Sequence, residues 1–554
     1  MFTALWNSPA ARLRWWGTCA GLVLLSLLVG APAIERIPLE SHEIYVVQST
    51  REMAARGDWL TPWFNGEPRL NKPPASYWLT GAVAALDASL PVAEARHGRA
   101  VSVLAGAGMV ALTLWIGVLL FDRATAGLGA LFLASSAGLF TYAHNARPDM
   151  LYAFFVTLAM AGAVAALRRG LPSSGKDGGR LGGAWCAALA WVAVAAATLT
   201  KGPHLPAFAL AGIAIACWRQ GNGWRTVLAA LRTGKGLLLV LLGCGSWWLW
   251  LRLQIDREVL GASQLAGSLL LPSLSKLGGP YYFYRPLQLL APWLPLALAS
   301  AAVLALLPAA RRDTGCLWWP LLITCLVLSL GRQYRYFYLL PMMMPLCLLL
   351  ARGLVMGLEA QGTRWLRPLL WCALSVQVVV TLAAAGWVMV KSGRVGWLTP
   401  SLLALLAGLG LAAALMAVLR ARDFRYSVMV ALGLVTASLW PGAAFSGAMW
   451  AQDRYESARL AEEVARVAGP DLPIITFGLP PALYTHAANR RVRRVEDPAR
   501  LSAQRALDPQ GRVVLVASSQ RLQDLPPDLP WRELDRTRHG GIEEVLLLVE
   551  ATAR

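Results

Sequence analysis

The stretch Ser41–Trp78, SHEIYVVQSTREMAARGDWLTPWFNGEPRLNKPPASYW, decides how the rest of the chain is interpreted. It is a polar segment between the first two long apolar runs of a chain of 554 residues. Its ionisable side chains include His42, Glu43, Arg51, Glu52, Asp58, Glu67, Arg69 and Lys72. In a chain this apolar, a loop of such length and charge is a working surface more often than a tether. The sequence therefore places functional residues here and makes the apolar runs their scaffold.

The composition around this stretch is that of a membrane protein. Hydrophobic residues make up 56% of the chain and charged residues 15%, a balance outside the range of soluble globular proteins. The formal net charge of +20 does not indicate nucleic-acid binding, because most Lys and Arg lie in short loops beside apolar runs. We therefore predict a polytopic α-helical membrane protein and expect no nucleic-acid partner.

Apolar windows of roughly 20 residues, long enough to cross a bilayer, recur along the chain. The first, near residues 17–34, follows Arg12 and Arg14 like a signal peptide, but it lacks a convincing cleavage site and is interpreted as a retained helix. The total is about 13 spans by this criterion. The later windows lie near residues 101–121, 124–142, 150–167, 185–199, 205–217, 236–250, 287–307, 316–330, 338–355, 369–390, 398–419 and 428–445.

Lys and Arg are distributed unevenly between the loops. If the N-terminus is cytoplasmic, the loops after even-numbered spans should be rich in these residues. Those loops contain Arg123, Arg168, Arg169, Arg219, Arg225, Arg311, Arg312, Arg352, Arg364, Arg420 and Arg422. An odd number of spans then puts the C-terminal tail on the outer face of the membrane, together with Ser41–Trp78.

Local patterns predict two amphipathic segments in the first outer loop, which we place at residues 35–95. Ile44, Val47 and Met53 recur at helical spacing, which predicts a helix over residues 43–55 at the membrane surface, ending near Gly57. After the break at Lys72-Pro73-Pro74, residues 76–86 begin a second such segment.

The composition changes after Gln452. A helical stretch over residues 459–467 is followed by short apolar runs at 472–477, 512–517 and 544–549, which predicts a small α/β domain. We therefore divide the chain into a membrane domain, residues 1–450, and a soluble outer domain, residues 451–554. The outer domain has no nucleotide-binding fingerprint.

Polar side chains also recur in the later outer loops. Acids, bases and cations beside hydrocarbon are costly unless they are used, so together they predict a site for an anionic substrate delivered by the membrane. They include His144, Arg147, Asp149, Lys201, His204, Asp256, Arg257, Glu258, Arg332, Arg335 and Tyr338. None of the eight cysteines has the spacing of a metal site, and no metal ligands are predicted.

Four segments carry a family resemblance. GDWLTPWFNGEPRLNKPPASYW, RPDMLYAFFVTLAM, LTKGP and YFYLLP resemble the motifs of GT-C type glycosyltransferases that use polyprenyl-phosphate sugars. The branch is the one that contains the lipid A aminoarabinose transferases and the protein O-mannosyltransferases. The resemblance covers most of the membrane region and is strongest from Ser41 to about Pro206, while the tail matches only in position and size.

The resemblance implies a GT-C-like fold with a periplasmic C-terminal domain in the bacterial inner membrane. It implies an inverting transfer of a sugar from a polyprenyl (undecaprenyl) phosphate donor to a lipid A-like, glycan or protein acceptor. In such enzymes an acid of the first outer loop removes the acceptor proton. That role falls to Glu43 or His42, and Asp149 orients the acceptor or shares the role. The contacts to the donor phosphate fall to Lys72, Arg257, Arg332, Arg335 and Tyr338.

Two positions depart from the family pattern. His42-Glu43 stands where the family usually has an Asp-Glu pair, so the identity of the base stays open between them. Asn71 stands where the aminoarabinose transferases have Glu, so their metal site and sugar preference do not carry over. No cofactor is assigned, and whether a divalent metal assists is left open.

Each candidate residue also has a structural interpretation. Lys72 would suit a contact with membrane phospholipids, and Arg332 and Arg335 would suit interfacial anchors. His42 would suit a helix cap, and Asp149 beside Pro148 a helix start. For the whole chain, the alternatives are a transporter or flippase for lipid-linked sugars, and a structural or assembly protein. Transporter sites usually lie on broken helices at mid-membrane, whereas these polar residues lie in outer loops.

Overall fold

The computed structural model describes a chain made mostly of helices. The residues described are 9–32, 34–89, 92–171, 180–262, 281–307, 314–330, 335–359, 366–394, 401–409, 412, 424–445, 453–498, 500–501, 512–527, 529–539 and 542–549. In chain order the helices are α1 (Pro9–Gly30), α2 (Ser41–Arg56), α3 (Ala75–Ala85), α4 (Ala95–Leu120), α5 (Arg123–Ala134), α6 (Ala137–Ala143), α7 (Pro148–Gly170), α8 (Arg180–Thr200), α9 (His204–Arg219), α10 (Trp224–Ala230), α11 (Thr233–Gln254), α12 (Arg257–Ala262), α13 (Leu294–Leu306), α14 (Gly315–Ser329), α15 (Met343–Glu359), α16 (Leu366–Arg394), α17 (Phe424–Phe445), α18 (Asp453–Ala468) and α19 (Ala482–Ala488). Single helical turns lie at Tyr281–Tyr284 and Pro286–Leu289, and 3₁₀ helices lie at Tyr336–Met342 and Ser519–Asp524. Residues 401–409 are also helical.

The chain forms two compact units. The membrane unit consists of Met1–Ile34, Leu70–Ser76 and Arg99–Ala448. The loop–tail unit consists of Glu35–Arg69, Tyr77–Gly98 and Met449–Arg554. Most of the polar stretch from Ser41 onward therefore packs with the tail, whereas its Asn71-Lys72-Pro73-Pro74 segment packs with the membrane helices.

The protein is a multi-pass membrane protein. Among the described residues, seven helices are long and apolar enough to cross a membrane, or eight if α5 and α6, which are bent by 51° at a short break, form one span. Four shorter apolar helices lie at His204–Arg219, Leu294–Leu306, Gly315–Ser329 and Ser427–Pro441. Helices cover the predicted apolar windows, but several are shorter than a full span, so the long spans are fewer than the thirteen expected. In the window at 398–419, residues 401–409 are helical, and the other residues of that window except 412 lie outside the described part of the chain.

Helices α7 and α8 pack closely in the membrane unit. Gly162 of α7 allows this, because an added Cβ there would lie 2.8 Å from the main chain of Cys186 and of Ala190. At the other end of the pair, the Tyr152 hydroxyl donates to the Gly202 carbonyl at 2.9 Å and accepts from the Leu205 N–H at 3.3 Å. These bonds fix the turn between α8 and α9 against the first turns of α7.

The tail folds into a mixed five-stranded sheet, and the predicted α/β class is confirmed. Its strands are β3 (Ile474–Phe477), β4 (Arg493–Val495), β5 (Val513–Ser518), β6 (Trp531–His539) and β7 (Ile542–Val549), with β1 (Trp63–Phe64) and β2 (Glu67–Pro68) forming a separate hairpin. The order across the sheet is β4-β3-β5-β7-β6, with β3 parallel to β4 and β5 and the other pairs antiparallel. The apolar runs at 472–477, 512–517 and 544–549 became the three central strands.

Alternate residues of those strands face two hydrophobic cores. Phe477, Leu515 and Leu547 are buried on one face. On the other face Val514 and Leu546 pack with residues of α18. The edge strands β4 and β6 were not predicted, because their charged residues, such as those of RELDR at 532–536, hide the strand pattern.

Candidate active site

A buried carboxylate lies at the start of α7. Arg147 occupies the N-cap position without a capping hydrogen bond from its side chain, and Pro148 occupies the first turn, where a fixed φ and a missing N–H are tolerated. Asp149 therefore lies at the helix entrance, and its side chain is only 3% exposed. The predicted helix start beside Pro148 is therefore observed. The role of Asp149 in orienting the acceptor stays a prediction.

Two cations bind this carboxylate. The Arg147 Nε lies 3.0 Å from Asp149 Oδ2. The Lys201 ammonium, from the turn after α8, forms an ion pair with Asp149 Oδ1. All three side chains are largely buried, and a buried charge is tolerated only when it is paired in this way. The RPD and TKG segments, which are far apart in sequence, thus meet in one cluster.

Aromatic rings of the 3₁₀ helix Tyr336–Met342 cover the two cations. The Lys201 ammonium lies 4.5 Å from the ring centre of Tyr338 and 5.0 Å from that of Phe337. The Arg147 guanidinium lies 4.5 Å from the ring centre of Phe337. Cation–π contacts of this kind hold the charged groups in place beside the apolar helices. The YFYLLP motif is therefore the third segment to enter the cluster.

Lys72 belongs to the same unit as this cluster. The Lys72 side chain is half-buried and lies within electrostatic reach of the Asp149 carboxylate. Nearby in sequence, Leu70 packs against Trp247 and Leu251 of α11 and against Leu260 of α12. Because α12 begins at Arg257, this packing brings the NKPP segment and the start of α12 together.

The structure describes two of the other four side chains predicted to contact the donor phosphate. Arg335 is exposed, and its backbone N–H donates to the Tyr282 hydroxyl at 3.0 Å. Tyr338 is half-buried over Lys201. Arg332 and the side chain of Arg257 lie outside the part of the chain that is described.

Glu43 and His42 lie at the start of α2 in the loop–tail unit. The predicted helix over residues 43–55 is observed as Ser41–Arg56, and Gly57 ends it with a φ of 66°. Glu40, not His42, is the N-cap. Glu43 completes a capping box by accepting from the Glu40 N–H at 2.9 Å, and its side chain is buried. His42 is exposed.

Sequence reasoning noted Arg147 and Lys201 among the outer polar residues but assigned them no role. The available signal was their position inside the two motifs RPDM and LTKGP. Among the described residues, no group of three or more His, Cys, Asp and Glu side chains could hold a metal ion.

The fold defines the class of the protein: a multi-pass membrane protein with a small mixed α/β domain. Residues 40–254 match the family described as dolichyl-phosphate-mannose-protein mannosyltransferase. The fold is similar to that of ArnT from Cupriavidus metallidurans in the apo state, with a TM-score of 0.73 and 18% identity over 97% of this chain and 98% of that one. The structure of the same ArnT bound to undecaprenyl phosphate gives a TM-score of 0.71.

Curated protein sequences are also similar to this chain. The undecaprenyl phosphate-alpha-4-amino-4-deoxy-L-arabinose arabinosyl transferase of Pseudomonas aeruginosa (strain PAO1) is 28% identical over 374 residues, which are 62% of this chain and 61% of that protein. An uncharacterized protein of Aquifex aeolicus is 31% identical over 120 residues, 22% of this chain and 23% of that protein. The chain thus spans less than two thirds of the length of the curated relatives it matches. The resemblance stated from the four motifs is confirmed.

Proposed function

We propose that this protein is a membrane glycosyltransferase that moves a sugar from a polyprenyl phosphate, of the undecaprenyl type, to an acceptor. The observation that carries the proposal is the cluster of Asp149, Arg147 and Lys201, with Lys72 within electrostatic reach. Three motifs build it from distant parts of the chain. A lipid-phosphate donor needs cations beside apolar surface, and this arrangement supplies both.

The proposed reaction is a direct displacement at the anomeric carbon. The acceptor oxygen forms a bond to that carbon while the bond from carbon to the phosphate oxygen breaks, so the configuration inverts. The phosphate oxygen leaves with the bonding electron pair and its added negative charge. Lys72, Arg257, Arg332, Arg335 and Tyr338 would stabilise that charge.

The acceptor proton passes to a base on α2. Glu43 is our first choice because a carboxylate resembles the family's base and because it is fixed in a capping box. His42 is the other member of the pair. Asp149 would orient the acceptor or share the role of base, and its ion pairs would keep Arg147 and Lys201 in place around it.

The proposed location is the bacterial inner membrane, with the N-terminus in the cytoplasm and the reaction on the periplasmic face. The positive loops after the even-numbered predicted spans support this orientation. Residues 1–450 would form the membrane domain that binds the donor, and residues 451–554 a soluble periplasmic domain. The acceptor would be a lipid A-like molecule, a glycan or a protein.

The test is release of free polyprenyl phosphate from a panel of polyprenyl-phosphate sugars by the purified full-length protein with outer-membrane lipid extract. Release by the parent protein that is lost in Asp149→Asn would support the transferase and identify the donor sugar. A matched control is Asp122→Asn, because Asp122 is a half-buried helix cap that pairs with Arg352 and has no role in the proposed site, and Asn caps equally well. No release from any donor by folded protein would favour a transporter of lipid-linked sugars.

A further inference from the structure

The turn of the hairpin β1–β2 contacts the sheet domain of the tail through the Asn65 side chain, and Glu67 of β2 adds an exposed ion pair with Arg491 at 2.9 Å. Asn65 and Gly66 form the turn, both with positive φ of 56° and 80°. The Asn65 Nδ2 donates to the Val492 carbonyl at 2.8 Å, and its Oδ1 accepts from the Val492 N–H at 2.8 Å. The Thr485 hydroxyl donates to the same Oδ1 at 3.2 Å. The amide therefore pairs with the main chain just before β4 as a neighbouring strand would.

The other side of the same turn is fixed to α2. The Glu52 carboxylate accepts from the Asn65 N–H at 2.7 Å and from the Gly66 N–H at 2.9 Å. The Gln48 Nε2, one turn earlier, lies 3.3 Å from Glu52 Oε1 and 3.4 Å from Asn489 Oδ1. Bonds to a carboxylate are stronger than those between neutral groups, so Glu52 makes the turn a rigid bridge between α2 and the sheet domain.

Arg51 makes a second connection from the same helix. Its Nε donates to the Ala93 carbonyl at 2.7 Å, and its guanidinium forms an ion pair with Glu94. Its Nη1 lies 3.4 Å from both the carbonyl oxygen and the ring Nδ1 of His486 in α19. The Arg51 side chain is only 10% exposed, so these contacts are largely shielded from water.

We propose that the tail domain positions the catalytic helix: Asn65 and Arg51 are positioning residues that fix α2, and so fix Glu43 at its N-terminal end. The inference rests on the proposed function, because it assigns a role to Glu43. A helix transmits orientation along its axis, and Glu43 lies about 12 Å from Arg51 at 1.5 Å per residue. The tail thus acts on the reaction through α2.

The sheet does not depend on these contacts for its own core. Phe477, Leu515 and Leu547 are buried on one face without help from α2 or the hairpin. Removing the Asn65 side chain should therefore loosen α2 while the sheet stays folded. This separates a positioning role from a role in folding.

The experiment compares full-length Asn65→Ala and Arg51→Lys with the parent protein, using release of polyprenyl phosphate and hydrogen exchange of backbone amides. For Asn65→Ala we expect kcat to fall roughly 10- to 100-fold, as misplacement of a catalytic group does, while KM for the donor stays within about 2-fold. Amide exchange should rise in Ser41–Arg56 and stay unchanged in β5. Asn65→Asp keeps the two acceptor contacts and should recover part of kcat. Arg494→Ala, which removes an exposed ion pair with Glu496 inside the tail, is the matched control.

The outcomes separate the two proposals. A parent protein that releases no polyprenyl phosphate overturns the proposed function. A parent protein that is active, with an Asn65→Ala variant of equal kcat, overturns the positioning role alone. Unchanged amide exchange in Ser41–Arg56 of that variant overturns it as well. A rise in exchange throughout β5 would make the contact a folding contact and would also contradict the proposal.

Discussion

The Lys201 ammonium forms an ion pair with the Asp149 carboxylate, although 52 positions separate them in the sequence. The pair joins the first turn of α7 to the turn that follows α8. Because both side chains are largely buried, loss of Asp149 leaves Lys201 without its carboxylate partner, and loss of Lys201 leaves Asp149 with Arg147 as its cation. The two residues should therefore behave as one unit in mutational experiments.

Asp149→Asn should abolish transfer while the protein stays folded in the membrane. The change keeps the size of the side chain but removes the charge that holds Arg147 and Lys201. We expect kcat to fall by about 100-fold or more, the range for a group that takes part in proton transfer or orientation. Steady-state release of polyprenyl phosphate, beside the Asp122→Asn control, measures it. Full activity in the Asn variant would exclude any role for the carboxylate.

Lys201 should matter through its charge. Lys201→Met should lose most activity and stability, whereas Lys201→Arg should retain part of both, because a cation remains beside Asp149. The double variant Asp149→Asn with Lys201→Met should recover about 1–3 kcal/mol of stability relative to the sum of the single changes. Thermal unfolding in detergent of all four proteins gives this coupling energy. Strictly additive losses would show that the two side chains do not interact.

Lys72→Ala should abolish transfer by weakening donor binding. The ammonium of Lys72 is predicted to contact the lipid phosphate, and a charge-assisted contact of this kind contributes about 1.5–3 kcal/mol, or roughly 10- to 150-fold in affinity. Binding of undecaprenyl phosphate to the purified protein measures the loss directly. Lys235→Ala, at an exposed lysine near the start of α11, is the control. If Lys72→Ala and Lys235→Ala bound undecaprenyl phosphate equally well, Lys72 would be a contact for ordinary membrane phospholipids and not for the donor.

The sequence predicted those elements whose signals are local. Helix α2 was predicted from the spacing of Ile44, Val47 and Met53, and its end from Gly57, which adopts the left-handed conformation that glycine favours. The three central strands of the tail were found because most of their residues are buried and apolar.

Features that depend on contacts between distant residues were not predicted. Lys201 cannot be paired with Asp149 without knowing that α7 and α8 pack side by side. The edge strand β6 hydrogen-bonds to one neighbouring strand, β7. Its many charged residues obscure the alternation of apolar and polar residues from which a strand is predicted. The hairpin turn at Asn65-Gly66 did carry a local signal, since Asn-Gly is typical of tight hairpin turns, but its flanking strands have only two residues each.

Glu43→Gln should damage transfer more than His42→Ala. Glutamine can complete a capping box as glutamate does, so the start of α2 should be preserved while the carboxylate is removed. We expect about a 100-fold or greater loss of kcat for a missing general base. Circular dichroism and hydrogen exchange would confirm that the helix is intact. The reverse order of the two variants would assign the base to His42.

The stability of the loop–tail unit should decrease below pH 6.5 because of His486. Burial and the neighbouring Arg51 cation lower the pKa of His486 from 6.5 to about 3. Between these two values the unfolded chain binds a proton that the folded chain excludes, so the free energy of unfolding falls as the pH falls through this window. Since His486 is only partly buried, we expect about 1 kcal/mol to be lost between pH 7 and pH 5. His486→Gln removes the titrating group, so thermal unfolding of the full-length variant should show a smaller loss over the same interval. An equal loss in the variant and the parent protein would show that other groups control the pH dependence.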